Sequence, residues 1–353
     1  MKTRLIAILL AVAISVGIFA IPAAAAETRG LIIDNTVAPF TDVFEDDYFA
    51  DAVRWAHKNG VASGTSSNTF SPQKTVTRRE ACVFLWRVAG SPAVTPKTNS
   101  LGGCEKKTSS NAWYYDAMHW CYNNSVISFS TAKNYPEVEL TEKNFSTMLY
   151  KLALKWGYNS KTSSSSDKKL TRGKCVNMLY QFAYTEAEKL GLNFKSLNAQ
   201  QRRLLFYAES ALGTEYVYGG TNINSGIDCS HYAAHVLNQS WGMKLPESSC
   251  SILASASGVT KVCERGSSQT GSAFFNANKS KLKFGDLMFF ENYEKTEKFA
   301  HVAICLGKAS NGRYIIIHAS EPKVQIHYLD ASYYGSNDNY YTSRLHLVMR
   351  PNP

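Results

Sequence analysis

Three things are scarce in this 353-residue chain, and each scarcity removes a class of reading. No Cys-x-x-Cys pair occurs among its eight cysteines, which removes zinc-ribbon spacing. No dense Lys/Arg block interleaved with aromatics occurs, so a nucleic-acid-binding face has no support. Past residue 26, no apolar run is long enough to span a bilayer. The one long apolar run, Leu5 to Phe19, follows Lys2 and Arg4 and leads into AIPAAAA, with small residues at Ala24 and Ala26. This order predicts a cleavable export signal over 1–26 rather than a membrane anchor. The mature chain is expected to be soluble and extracytoplasmic. Without Lys2 and Arg4 it keeps 36 basic and 28 acidic residues, a net charge of +8. Such a surface accumulates near polyanions: wall polymers, lipid head groups or DNA.

Cysteines of exported chains are usually paired. Spacing alone allows Cys104–Cys121 or Cys250–Cys263 to pair, and connectivity cannot be read from sequence. Cys82, Cys175 and Cys305 lie in apolar runs and are expected as buried thiols.

The N-terminal half repeats itself. Tyr48 to Ser63 aligns without gaps on Trp113 to Ser128, with six of sixteen positions identical. Ala52, Trp55 and Ala56 have the spacing of an amphipathic helix, which should stop at Asn59-Gly60. A second element opens with Thr77, with Glu80 three residues on, a capping box. Its relatives begin at Leu140 and Leu170. In all three a threonine precedes a Leu-aromatic pair by eight residues: Thr77, Thr141 and Thr171. Such units cannot bury their apolar faces alone and should pack on one another. Ser160 to Lys169 reads as a surface loop, and Cys175 to Leu190 as a helix-like run.

The landmarks FTDV (Phe40 to Val43), WAHKNGVASG (Trp55 to Gly64), FSP (Phe70 to Pro72) and TRRE (Thr77 to Glu80) resemble the S-layer homology family. Module 1 spans 39–93, a degenerate module 2 spans 101–157, and a partial module 3 spans 165–190. The resemblance implies non-covalent attachment to an anionic secondary cell-wall polysaccharide, with the TR pair at the binding surface. Arg78 and Arg172 are then the candidate anion contacts, since a guanidinium grips a carboxylate or phosphate with two hydrogen bonds.

In the C-terminal part, Ala199 to Gly213 reads as a helix ended by glycine. Cys229 stands between Asp228 and Ser230 where loop residues give way to the helix-like SHYAAHVL. Three apolar, strand-like segments follow: Phe284 to Phe290, His301 to Gly307 and Tyr314 to Ser320. A free thiol titrates near about 8.5, and both a helix N-terminus and a neighbouring imidazolium lower that value. Cys229 has the first by position, and His301 or His318 can supply the second. Asp228 is expected to shape the turn and Ser230 to cap the helix. His231 and His235 form an i, i+4 pair with no third ligand at suitable spacing, so no metal or other cofactor is expected.

YVYGG (Tyr216 to Gly220), GIDCS (Gly226 to Ser230), GDLMFF (Gly285 to Phe290), HVAI (His301 to Ile304) and IHAS (Ile317 to Ser320) stand in one order. Together they resemble the NlpC-type papain-like cysteine peptidases of bacterial cell walls, over a domain of 198–353. The resemblance implies an α+β fold: a papain-like domain with the nucleophile helix on an antiparallel sheet, preceded by an all-α repeat region. Position by position it implies Cys229 as nucleophile, His301 as general base and His318 as the orienting residue. Tyr216, Asp228 and Ser230 match substrate-side positions. Two departures bear on preference: His231 stands where the family commonly has glycine, and Leu245 to Leu282 is enlarged, with Cys250 and Cys263 in it. His57, His119, His327 and His346 are expected to have no catalytic role. Tyr333, Tyr334, Tyr340 and Tyr341 line a groove or pack.

The implied function is a secreted, wall-associated endopeptidase of a Gram-positive-type envelope. It would cut peptidoglycan stem peptides between D-γ-glutamyl and the diamino acid. Two other readings stay open: an amidase or acyltransferase on the same fold, and an inactive wall-binding protein.

Overall fold

The computed structural model describes residues 38–95, 112–128, 136–157, 162–292, 294–331 and 339–353. The segment 1–26 expected to be an export signal, Cys104, Tyr333, Tyr334 and residues 101–111 and 129–135 of the expected module 2 lie outside the described residues.

Helices α1 (Ala50–Lys58) and α3 (Tyr115–Asn123) occupy the same positions of the two aligned repeats. Both end alike: the Asn59 and Asn124 side-chain amides donate to the Trp55 and Trp120 carbonyls at 3.1 and 2.9 Å. The segment after Asn59 turns at Gly60, whose φ of +67° favours glycine. Helices α2 (Arg78–Val88), α4 (Glu142–Trp156) and α5 (Arg172–Ala183) follow the three threonines, all of which occupy N-cap positions. The capping box is present at the first, where the Thr77 backbone N–H donates to Glu80 Oε2 at 2.8 Å.

The first N–H groups of a helix have no partner within it. Here the neighbouring module supplies them. The Arg78, Glu142 and Arg172 amides donate to the Val138, Lys168 and Lys74 carbonyls at 2.8, 3.0 and 2.9 Å. Just before the helices a ring of hydrogen bonds closes on itself: Val76 to Leu170 (2.8 Å), Leu170 to Leu140 (2.8 Å) and Leu140 to Val76 (3.0 Å). The segments that lead into α2, α4 and α5 are therefore joined in one ring. None of the three helix starts is satisfied without the next.

The run from Cys175 to Leu190 is two helices rather than one. Tyr184 turns to extended backbone, and Thr185 caps a new helix, α6 (Glu186–Lys189). Buried Glu209 fixes this break by accepting from the Glu186 and Ala187 amides at 2.7 and 2.8 Å. Burial pushes its carboxyl up to about 7.

Helix α7 (Ala199–Ser210), the first of the C-terminal region, packs into the repeat unit. Phe206 stacks on Trp156 of α4 with ring centroids 5.1 Å apart. The Arg202 guanidinium donates to the Arg87 and Val88 carbonyls, closing the end of α2. Its other face meets α8 (Cys229–Trp241), whose Tyr232 hydroxyl donates to the Ala208 carbonyl at 3.0 Å. Between α7 and α8 lies a two-residue hairpin, β1 (Thr221–Asn222) and β2 (Gly226–Ile227).

The enlarged segment carries α9 (Cys250–Ala254), β3 (Val259–Glu264) and α10 (Gly271–Asn278). Then come β4 (Leu287–Phe290), β5 (His301–Lys308), β6 (Tyr314–Ser320), β7 (Lys323–Tyr328) and β8 (Leu345–Pro351). These form one antiparallel sheet in the order β3-β8-β4-β5-β6-β7. Helix α8 covers one face over β5 and β6, and α10 lies against β8. The class is α+β, with sheet in the C-terminal part and helices before it. Gly285 lets β4 start under α8: its φ is +92°, and a Cβ there would lie 2.1 Å from the Trp241 ring. Asp286, fully buried, is held by Arg350 through two contacts of 2.8 Å.

All seven described cysteines are free, so Cys250 and Cys263 are not bridged. Cys82, Cys175 and Cys305 are fully buried, as their apolar surroundings require. Among the described residues no helix is long and apolar enough to cross a membrane.

Trp156→Ala is expected to remove the α4–α7 stacking and to cost about 3–5 kcal/mol. Urea unfolding followed by circular dichroism measures it. A loss below about 1 kcal/mol would mean that the helical unit and the C-terminal region are not coupled through this contact.

Candidate active site

Helix α8 begins at Cys229. The cap is not the one expected: Asp228 is the N-cap residue, accepting from the His231 amide at 2.8 Å, and Ser230 donates its hydroxyl to the same carboxylate at 2.9 Å. Asp228 reaches the third residue of the helix, whereas Ser230 already lies inside it and so is geometrically unable to cap. Both side chains are buried and spent on the turn that presents the thiol. Tyr216 lies alongside, bridged in parallel to Ile227, and burial pushes its phenol up.

Cys229 is only 5% exposed. Its thiol is held well below the ordinary range, chiefly by a hydrogen bond from the Cys250 thiol. Burial opposes this, while the His301 imidazole and the Val302 backbone N–H add to it. The two sulfurs are 3.7 Å apart. The partner thiol of Cys250 is pushed up, first by that hydrogen bond and then by burial.

Behind His301 stand two more imidazoles. The antiparallel registers put His301 on β5, His318 on β6 and His327 on β7 on one face of the sheet. His301 Nε2 is 2.6 Å from His318 Nδ1, and His318 Nε2 is 2.8 Å from His327 Nε2. His327 Nδ1 is 2.9 Å from the Tyr328 carbonyl. That carbonyl only accepts, so it fixes every proton in the row. His327 must carry its proton on Nδ1, so its Nε2 accepts from His318 Nε2–H. His318 Nδ1 then accepts from His301 Nε2–H. What remains on His301 is Nδ1, the nitrogen left to exchange a proton with the thiol. His318 is completely buried and held well below the ordinary histidine range, first by burial and then by its two imidazole neighbours. Burial likewise lowers His327. Both stay neutral, as the tautomer chain demands. Tyr341 packs against all three rings at 5.1–5.9 Å and closes the row from the opposite side.

A cavity of about 280 Å³ opens beside His301, lined by Tyr216, Phe290, Ser320, Glu321, Tyr341 and Arg344. The structure thus brings Cys229, His301, His318, Tyr216, Asp228 and Ser230 to one place. Arg78 and Arg172 lie in the repeat unit instead. Arg172 requires a correction: it is buried, donates to the Phe70 and Ser63 carbonyls at 3.0 and 2.8 Å, and stacks over Phe70. Its donors are consumed inside the protein, which removes it as an anion contact. Arg78 begins α2 at the junction with Val138.

The i, i+4 histidines face different partners. His231 Nδ1 lies 2.9 Å from Asp228, and His235 bridges Tyr207 and Glu247.

His327 and Cys250 were missed as site residues. Sequence reading does not predict β7, and only its register carries His327 to His318. Cys250 lies 21 residues beyond Cys229, and the packing of α9 on α8 brings the two thiols together. A second cysteine in an enlarged segment was the available signal.

Residues 213–343 match the family model described as NlpC/P60 family, and residues 39–82 that of the S-layer homology domain. Gamma-DL-glutamyl hydrolase of Bacillus subtilis (strain 168) is 33% identical over 129 residues, 36% of this chain and 26% of that protein. The match therefore spans about a quarter of that relative. The solved NlpC/p60 domain of peptidoglycan hydrolase SagA is 23% identical and covers 41% of this chain and 93% of that one, with a TM-score of 0.27. An NLP/P60 family protein described as similar to lipoprotein, from Staphylococcus aureus subsp. aureus Mu50, is 14% identical and covers 78% and 93%, with a TM-score of 0.32. At such scores the structural overlaps add nothing to the family match. The chain carries an S-layer homology domain followed by a domain of the NlpC/P60 family.

Proposed function

We propose that this chain is a secreted, wall-associated cysteine endopeptidase that cleaves peptidoglycan stem peptides at the bond between D-γ-glutamyl and the diamino acid. The observation that carries the reading is the thiol of Cys229, seated at a helix N-terminus and backed by an imidazole row whose protons are fixed. The glutamyl bond draws support from the partial similarity to gamma-DL-glutamyl hydrolase.

The geometry supports the following steps. The Cys229 thiolate attacks the amide carbon, and the resulting oxyanion lies against the first N–H groups of α8, which have no partner within the helix. His301 Nδ1–H protonates the departing amine. The same nitrogen then takes a proton from the water that hydrolyses the acyl-enzyme. Throughout, Nε2–H stays donated to His318, so the ring does not turn. When His301 is charged, that bond becomes charge-assisted and strengthens. Tyr216 and the cavity beside His301 receive the stem peptide. The repeat unit holds the enzyme on an anionic secondary cell-wall polysaccharide, with Arg78 as the anion contact that remains once Arg172 is excluded, and the excess of basic residues favours the same partner.

Digestion of purified muropeptides, analysed by mass spectrometry, is expected to give fragments with a new N-terminal diamino acid. Cys229→Ala should give none. Release of intact stems from muramic acid would replace the reading with an amidase, and no product from the wild type would favour an inactive wall-binding protein.

Site-resolved alkylation by iodoacetamide tests the thiol directly. A depressed value means that the thiolate persists below about 8.5, so the rate at Cys229 should change little between about pH 8 and pH 6. An ordinary thiol slows roughly tenfold per unit over that range, and such behaviour at Cys229 would remove the priming.

His327→Leu takes away the acceptor that orients His318. A hydrogen bond between neutral groups contributes about 0.5–1.5 kcal/mol, so kcat should fall roughly twofold to tenfold with KM little changed. An unchanged kcat would show that the row beyond His318 is only packing.

A further inference from the structure

We infer that Cys229 and Cys250 form a redox modification site, with Cys229 the thiol that peroxide oxidises and Cys250 the thiol that resolves it. The consequence for activity rests on the reading of Cys229 as nucleophile; the covalent chemistry does not.

The sulfurs are 3.7 Å apart, and both are free. A disulfide bond is about 2.05 Å long, so side-chain rotation must close only the remaining gap. The elements permit it. Cys229 begins α8, and Cys250 begins α9, a helix of five residues reached through an irregular stretch after Gly242. Cys250 Sγ points at the nucleophile rather than at solvent and is 6% exposed as a residue. Such a thiol reaches the sulfur of Cys229 before a second peroxide does.

The chemistry balances in two steps. The Cys229 thiolate attacks one oxygen of hydrogen peroxide. The sulfur loses two electrons, the O–O bond breaks and hydroxide leaves, giving Cys229–SOH. Cys250–SH then attacks that sulfur. The S–O bond breaks, the Cys250 proton leaves with the hydroxyl as water, and the S–S bond forms. The first step also makes the second easier. Cys250 is held protonated first by its hydrogen bond to Cys229, then by burial and by the Cys229 charge, and oxidation of Cys229 to a neutral sulfenic acid removes the first and the last of these. A small external dithiol restores both thiols by exchange.

The sequence allows a direct readout. Trypsin cuts at Arg203, Lys244 and Lys261, which places Cys229 alone in peptide 204–244 and Cys250 alone in 245–261. Full-length wild type and Cys250→Ala are treated with hydrogen peroxide, quenched, alkylated and digested, and each protein's activity is normalised to its own untreated rate. In the wild type the two peptides should appear joined, lighter than their sum by about 2 Da. Dithiothreitol should release them and return the activity. In Cys250→Ala, Cys229 should advance to the sulfinic acid, and the fraction of activity not recovered by dithiothreitol should rise about fivefold. Wild-type Cys229 reaching the sulfinic acid at the variant's rate, with no joined peptides, would overturn the inference. Should the variant fail to fold, the wild-type joined peptides decide alone. Joined peptides in a protein inactive on muropeptides from the outset would sink the peptidase reading and leave the redox site standing.

Discussion

The hydrogen bond from His327 Nδ1 to the Tyr328 carbonyl sets the direction of the whole site. A backbone carbonyl cannot donate, so it removes the ambiguity that an imidazole row would otherwise carry. Two in-line histidines have two equally good proton arrangements; a fixed acceptor at the far end leaves one. The row is also neutral and buried, which matters for the thiol. A carboxylate behind His301 would stabilise the imidazolium by direct charge. His318, held uncharged by burial, orients the ring without adding charge. The thiolate is therefore stabilised chiefly from its own side, by the Cys250 thiol first, then by the adjoining His301 imidazole and the Val302 amide.

The helix that holds this thiol is supported from the other half of the molecule. Helix α8 rests on α7 through Tyr232, and α7 stacks on α4 through Phe206 and Trp156. The repeat unit in turn is closed by the Val76, Leu140 and Leu170 ring. The short helical segment after α4 and the first helix of the C-terminal region solve one problem between them. Helix α4 exposes an apolar face at Trp156, and Phe206 of α7 covers it. Within the helical part, Glu188 of α6 ties back to α1, accepting from the Trp55 indole N–H at 3.0 Å, with burial pushing its carboxyl up to about 7.

What was legible in the sequence follows from what is local. The capping threonines, the α8 start at Cys229 and the apolar strands β4, β5 and β6 depend on nearest neighbours, and each was readable from its own stretch. Strands β3, β7 and β8 were not: KVQIHY alternates weakly, and VTKVCE is an exposed edge. His327 carries no signal of its own in the sequence, since a histidine gains meaning here only through register. Arg172 was misjudged in the opposite sense. Its TR motif is real, but the cyclic closure of the repeats buries the guanidinium against Phe70, a relation between residues about a hundred positions apart. The Cys250 contact is likewise tertiary, and spacing pointed instead to Cys263.

The pairing of Cys229 with Cys250 follows from a single demand carried to both of its ends. A thiolate in a nearly dry site needs donors, and a neighbouring thiol is a weak, polarisable one that stabilises the charge without neutralising it. The same ionisation that makes sulfur attack an amide makes it attack peroxide. A hydroxyl in place of Cys250 would answer the first demand and leave the second open, because oxygen cannot resolve a sulfenic acid to a reducible bond. Sulfur at that position satisfies both, and its seat on the short, separately mounted α9 lets it approach without disturbing the imidazole row on the sheet. The donor that stabilises the Cys229 thiolate is thus also the thiol placed to resolve its oxidised form.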